Sequence, residues 1–240
     1  MQDVVAQAEI PVEMNSFKQQ QFRWAKGQIQ TCRKLLPTIF AAPVPLSTKV
    51  EAFFHLGANF GYPLMILLAL LMFPAMVIRY NMGWYEMLVV DVPLFLGATM
   101  SVCSFYMASQ KEVFGATWRS RLKYLPAVLA VGIGLSVSNA KGVLEALLGL
   151  DSEFTRTPKY GVELCSDDWR QKRYRGNVTL VPYIELALGV YFTFMAYYAL
   201  SNDILGTLPF ILLFQVGFLY AGFLSVIQNF TGLEMREQEA

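Results

Sequence analysis

The chain has 240 residues, of which 55% are hydrophobic and only 15% are charged, and its mean hydropathy is +0.41. That composition excludes an ordinary soluble domain and indicates a membrane protein. The net charge is only +1, and we expect no nucleic-acid partner. The three cysteines (Cys32, Cys103 and Cys165) lack CxxC spacing, and His55 is the only histidine. We therefore expect neither a disulfide framework nor a metal site in this chain.

The first fifteen residues do not form a signal peptide, because they lack a basic start followed by an apolar core. Residues 3–13 predict a strand and a turn, and a strand without partner strands is not a stable unit. We therefore expect residues 1–15 to be the remnant of a preceding domain.

A helix is predicted to begin near Ser16, a suitable N-cap, and to end at Leu36, because Pro37 cannot continue it. Cations and apolar residues are mixed along its second half, which is typical of a helix that lies in the membrane interface. These residues are Lys26, Ile29, Arg33, Lys34, Leu35 and Leu36. Residues 16–55 are accordingly predicted to form an interfacial region.

Within this helix lies the sequence Gln20-Gln21-Phe22-Arg23-Trp24. Because residues three and four positions apart are neighbours on a helix, Gln20, Arg23, Trp24 and Gly27 share one face. A guanidinium group suits an anionic phosphate, and a flat indole suits the apolar face of a sugar ring. The same pattern is also typical of a solvated or interfacial helix face. The helix pattern by itself leaves both interpretations open.

Four segments are predicted to cross the membrane: residues 56–78, 87–108, 179–200 and 204–228. Each is long enough for a hydrocarbon core of roughly 30 Å. Asp91 lies near the beginning of the second segment, where it can reach water. Glu185 lies inside the third segment. It should therefore face a protein interior, a partner or a polar channel, or else extend to the edge of the membrane.

Residues 124–150 contain a short apolar run that is interrupted by Asn139, Lys141 and Glu145, so an interfacial or re-entrant segment is predicted. The loops on both sides are rich in lysine and arginine, which favours the cytoplasmic side for both. A full span between them would place one loop outside. The predicted bundle, residues 56–228, thus has four spans. The motif helix, both basic loops and the tail, residues 229–240, are expected to be cytoplasmic.

A second polar motif, Phe154-Thr155-Arg156-Thr157-Pro158-Lys159, lies in the loop of residues 151–177. Thr157 and Lys159 could grip a phosphate, since a hydroxyl and an ammonium group both donate hydrogen bonds to anions. The alternative is a basic loop that merely follows the preference of positive charge for the cytoplasmic side.

The first motif resembles the QxxRW signature of the membrane-embedded family 2 glycosyltransferases, which include the cellulose, mannan, chitin and hyaluronan synthases. The second is similar to the gating loop of bacterial cellulose synthase, from which it departs at Arg156. The resemblance implies that Trp24 lines the acceptor site, that Arg23 contacts the nucleotide diphosphate and that Gln20 frames the same pocket. It also implies that Phe154, Thr157 and Lys159 belong to a loop that inserts over the bound nucleotide-sugar.

The resemblance implies an α-helical, polytopic membrane bundle with cytoplasmic interfacial helices, in a bacterial inner membrane. The partners would be a nucleotide-sugar, a growing polysaccharide and membrane lipid. Inverting transfer needs a carboxylate base and a cation at the leaving diphosphate. We expect both, the cation being Mg or Mn, in an α/β nucleotide-sugar domain that precedes residue 1. No catalytic residue or cofactor is then expected in this chain, which alone should be inactive.

Two alternatives to a processive polysaccharide synthase stay open. The first is a single-step transferase that glycosylates a lipid such as ceramide, because the QxxRW motif also occurs in enzymes of that kind. The second is a non-catalytic membrane subunit or small transporter that carries an interfacial helix with arginine and tryptophan.

Overall fold

A computed structural model of the chain describes residues 10–82, 92–151 and 179–238. The described residues form α-helices, short 3-10 helices and no strand. The α-helices are α1 (Met14–Ala41), α2 (Leu46–Gly57), α3 (Gly61–Met82), α4 (Val92–Phe114), α5 (Leu125–Gly134), α6 (Ser136–Leu148), α7 (Val181–Ser201) and α8 (Leu208–Gln238). The predicted gating loop apart from Asp151, and also Asp91 and most of the predicted N-terminal strand, lie outside the described residues.

Among the residues that the structure describes, three stretches are long and apolar enough to cross a membrane: Leu46–Asn81, Val181–Ser201 and Leu205–Asn229. A bent helix pair, Met100–Gly134 with Ser136–Leu148, raises the number to four if it forms one span. The protein is therefore a multi-pass helical membrane bundle, as predicted. The last two spans match the predicted segments 179–200 and 204–228. The first starts earlier than predicted and takes in residues 46–55, which were assigned to the interfacial region.

The fourth predicted span, residues 87–108, lies partly outside the described residues. Helix α4 covers the part of segment 87–108 that the structure describes. The bent candidate, however, runs on through the segment predicted to be interfacial or re-entrant, with a 43° bend between Gly134 and Ser136. A bend of this kind fits either a broken span or a re-entrant loop. The interfacial placement of residues 124–150 stays a prediction.

Helices α7 and α8 form a hairpin whose interior is aromatic. The fully buried Phe192 ring stacks on Phe214 at a centroid distance of 5.1 Å and contacts Phe218 at 5.9 Å. Helix α5 packs against α8 through small residues: a Cβ added to Gly134 would lie 2.5 Å from the carbonyl oxygen of Gly217. Close approach of helix backbones at small residues is the usual way in which membrane helices associate.

The predicted limits of α1 were wrong at both ends. The helix begins after Glu13 rather than Ser16, and the buried Ser16 hydroxyl donates to the Glu13 carboxylate at 2.8 Å. It also continues through Pro37 to Ala41. A proline inside a helix removes one hydrogen bond, and the residues after it can still bond normally. The helix ends where Ala42 turns extended, as residues before a proline usually do.

Candidate functional site

One side of α1 is packed against α6, so α1 is not a free helix on the membrane surface. Ala25 and Ile29 form a buried cluster with Val143 and Ala146 of α6. Lys26, which was expected at the interface, is also buried, and its ammonium group lies 2.8 Å from the Glu145 carboxylate. The predicted interfacial face is thus corrected at Lys26 and Ile29. Both contact protein, because their positions fall on the side that faces α6.

The backbones of α1 and α6 come close together at the motif itself. A Cβ added to Gly142 would lie 2.9 Å from the carbonyl oxygen of Phe22 and 3.1 Å from its ring. Lys26 and Lys141 each place their ammonium group 5.9 Å from the centroid of the same ring. Phe22, one of the two variable positions of the motif, therefore fixes α1 on α6.

The three predicted substrate-binding residues lie together on the other side of α1. At 100° per residue, Gln20, Arg23 and Trp24 fall opposite the buried stripe. This stripe consists of the buried residues Lys18, Ala25, Ile29 and Cys32 and the half-buried Phe22. The Trp24 side chain is 61% exposed, and Gln20 and Arg23 are half-buried. The structure thus brings these three residues to one open face, whereas Phe154, Thr157 and Lys159 lie outside the described residues.

A groove of about 360 Å³ lies further along α1, where this helix meets the end of α6. It is lined by Gln30, Arg33, Lys34, Ala146, Gly149 and Asp151. The Arg33 guanidinium donates a hydrogen bond to the carbonyl oxygen of Ala146 in the last turn of α6. A cation at this position also interacts favourably with the helix dipole. Arg33 thus holds α1 on α6 beside this groove.

A buried polar cluster just before the motif was not predicted. The Lys18 ammonium group forms an ion pair with the Glu185 carboxylate of α7. It also donates to the Ala221 carbonyl oxygen at 3.0 Å and to the Ser225 hydroxyl at 2.7 Å, both on α8. Lys18 is 4% exposed and Glu185 is fully buried. All three ammonium hydrogens therefore have acceptors.

This cluster shows what surrounds the Glu185 carboxylate. Of the predicted alternatives, the structure selects the protein interior, with Lys18 as the partner. Burial lowers the pKa of Lys18, and the facing carboxylate of Glu185 opposes that shift. The carboxylate at residue 185 was the signal in the sequence that a buried cation was needed. Nothing in the pattern distinguished Lys18 from the other lysines, because the two residues are far apart along the chain.

Neutral hydrogen bonds extend the cluster to the first turn of α1. The Asn15 amide donates to the Ser225 carbonyl oxygen at 3.3 Å and to the Asn229 side-chain oxygen at 2.9 Å. The Met14 backbone N–H donates to the Gln228 side-chain oxygen at 2.8 Å. The start of α1 is therefore joined to α8 over two turns of that helix, and to α7 through Glu185.

Within the described residues, no group of three or more histidine, cysteine or acidic side chains could hold a metal ion. The divalent cation expected for a nucleotide-sugar domain stays a prediction. Comparisons with protein-family models, with curated proteins and with solved structures found no match to this chain.

Proposed function

We propose that this chain is the C-terminal membrane half of a processive family 2 glycosyltransferase in a bacterial inner membrane. The complete enzyme transfers a sugar from a nucleotide-sugar to a growing polysaccharide. One observation carries the proposal: Gln20, Arg23 and Trp24, with QxxRW spacing, share an open face of a helix whose other side is fixed to the membrane bundle. An acceptor site needs such a rigidly held, accessible aromatic ring.

The chemistry of the three side chains suits this role. The exposed indole of Trp24 offers a flat apolar surface on which the terminal sugar of the acceptor stacks. The half-buried guanidinium of Arg23 binds the diphosphate with its fork of donors and stabilises the charge that develops as this group leaves. Gln20, one turn earlier on the same face, donates and accepts hydrogen bonds at the rim of this pocket.

The other chemical requirements lie with the proposed nucleotide-sugar domain. That domain supplies the carboxylate that deprotonates the acceptor hydroxyl, and a bound divalent cation there neutralises charge on the diphosphate. This chain contributes the binding and orientation of the acceptor and the path for the polymer through the bundle.

The test compares two tryptophan substitutions in the complete protein, reconstituted in lipid vesicles with labelled nucleotide-sugars and Mg²⁺ or Mn²⁺. Trp24→Ala removes the proposed stacking surface and should lower sugar transfer by at least about 100-fold, since stacking and orientation both act in the transition state. The matched control is Trp118→Ala. Trp118 is partly buried and lies beside a cation, since the Arg119 guanidinium is 5.7 Å from the centroid of its ring. Transfer should persist in this control.

The outcomes separate the alternatives. Wild-type transfer by the Trp24→Ala variant would refute the acceptor-site role and favour an interfacial anchor. No transfer by the wild-type protein with any nucleotide-sugar would favour the non-catalytic subunit or transporter. A polymer as product supports the proposal, whereas a lipid that carries a single sugar supports the single-step transferase.

A further inference from the structure

We propose that Lys18 and Glu185 are positioning residues that hold the Gln20–Trp24 motif at one place along the membrane bundle. This inference rests on the proposed function, because it gives the pair a role in sugar transfer. The pair joins α1 to α7, and the remaining hydrogen bonds of Lys18 join α1 to α8. Lys18 precedes Gln20 by two residues and Trp24 by six, which is about 9 Å along a helix axis.

The contacts of α1 with α6 are a separate attachment. On that surface the Lys26 ammonium group pairs with the Glu145 carboxylate, and the Arg33 guanidinium donates to the Ala146 carbonyl oxygen, so both fix α1 relative to α6. The Lys18 cluster fixes α1 relative to α7 and α8, and its hydrogen bonds are directional. A shift of α1 by one residue, about 1.5 Å, would break its hydrogen bonds to Ala221 and Ser225.

The cost of such a shift is high because the cluster is buried. Lys18 is 4% exposed, Glu185 is fully buried and Ser225 is fully buried. Removing one partner of a buried ion pair leaves an uncompensated charge, whereas replacing both partners by neutral groups is often tolerated. A pair with these properties specifies one arrangement and contributes little to net stability. The test therefore compares single variants, which leave one buried charge unpaired, with the double variant, which leaves none.

The first measurement needs no substrate and uses the 240-residue chain in lipid vesicles. Ser16, two residues before Lys18, is fully buried, so a cysteine at this position is a reporter of docking. In a Ser16→Cys chain with Cys32→Ala, Cys103→Ser and Cys165→Ser, the rate of reaction with a water-soluble maleimide reports how often the start of α1 opens. Lys18→Met and Glu185→Gln should each raise this rate at least about tenfold.

A matched control comes from α6. Lys141 lies 3.9 Å from Glu145 and its side chain is 54% exposed. Exposed ion pairs of this kind contribute little to stability. Lys141→Met should therefore leave the labelling rate within about twofold of wild type. Equal rates for Lys18→Met, Glu185→Gln and Lys141→Met would overturn the proposal.

The second measurement separates positioning from simple structural support. The double variant Lys18→Met/Glu185→Gln has no unpaired buried charge, so its labelling rate should return to within about threefold of wild type. In the complete protein its kcat/KM for sugar transfer should nevertheless stay at least about tenfold low, because the motif is no longer fixed relative to α7 and α8. Recovery of both labelling protection and kcat/KM would overturn the positioning role.

Failure of the proposed function gives a different result. If the wild-type complete protein transfers no sugar, the proposed function falls and the role of the pair in transfer falls with it. The labelling rates of the single variants then still decide whether Lys18 and Glu185 hold the start of α1 in place.

Discussion

The close contact between α6 and the motif helix yields a quantitative prediction for Gly142→Ala. The added Cβ would lie 2.9 Å from the Phe22 carbonyl oxygen, whereas ordinary contacts begin at 3.4 Å, so the two helices must separate by about 0.5 Å. The atom in the way belongs to the backbone and cannot rotate aside. Overpacking costs about 1–3 kcal/mol.

The free energy that holds α1 on α6 should therefore fall by about 1–3 kcal/mol, which is a factor of about 5–150 in the fraction of open molecules. Cys32 reports this opening, because it lies on the buried side of α1 and is 5% exposed. We expect its reaction with a water-soluble maleimide to be faster by that factor in a chain with Cys103→Ser and Cys165→Ser.

The control for this experiment is Gly132→Ala, because a Cβ at Gly132 meets no atom within 4 Å. It should leave the labelling of Cys32 unchanged. If both alanine variants react at the same rate, then α1 and α6 are not in close contact at Phe22 and the docking of the motif helix is wrongly understood. On the proposed function, a displacement of the motif by about 0.5 Å should also lower sugar transfer by about tenfold.

Two further substitutions test the core and the second ion pair of α1, each by unfolding in detergent micelles. Phe192→Ala should cost about 3–5 kcal/mol, because the ring is fully buried between two aromatic neighbours. Tyr197→Ala, at a side chain that is 68% exposed on the same helix, should cost far less, and similar losses would refute the assignment of the core. Lys26→Met should cost about 1.5–3 kcal/mol, since a buried charged hydrogen bond to Glu145 is lost. Lys141→Met should lower the free energy of unfolding by no more than about 0.5 kcal/mol. Equal losses in the two lysine variants would show that burial does not distinguish these lysines.

The membrane-spanning helices were predictable from sequence where the length of an apolar segment is enough to identify a span. A bilayer requires about twenty apolar residues in a row, and it requires a helix because backbone groups cannot bond to lipid. The hairpin of α7 and α8 follows directly from these two requirements. The bend between Gly134 and Ser136 did not follow, because it lies within one mostly apolar stretch and depends on how α5 packs against α8.

The shared helix face of the candidate site was predictable from sequence, but the packing around its residues was not. The spacing of Gln20, Arg23 and Trp24 was enough to place them on one helix face. These residues lie on an open face because a different side of α1 packs against α6. The sequence did not predict that side correctly, since Lys26 and Ile29 were expected at the membrane interface and are buried. Charge and hydropathy cannot tell whether a cation faces phosphate, lipid headgroups or a carboxylate of another helix.

The sequence by itself determined that this protein is a helical membrane bundle, and that an arginine and a tryptophan share one face of the helix that precedes the first span. Both follow from short-range properties, namely the apolar length of each segment and the 3.6-residue period of a helix. Only the tertiary structure decided that α1 is held by α6, α7 and α8, and that Lys18 is the partner of Glu185. The reason is physical: an ion pair between residues this far apart in the chain depends on the relative positions of whole helices, which no local pattern contains.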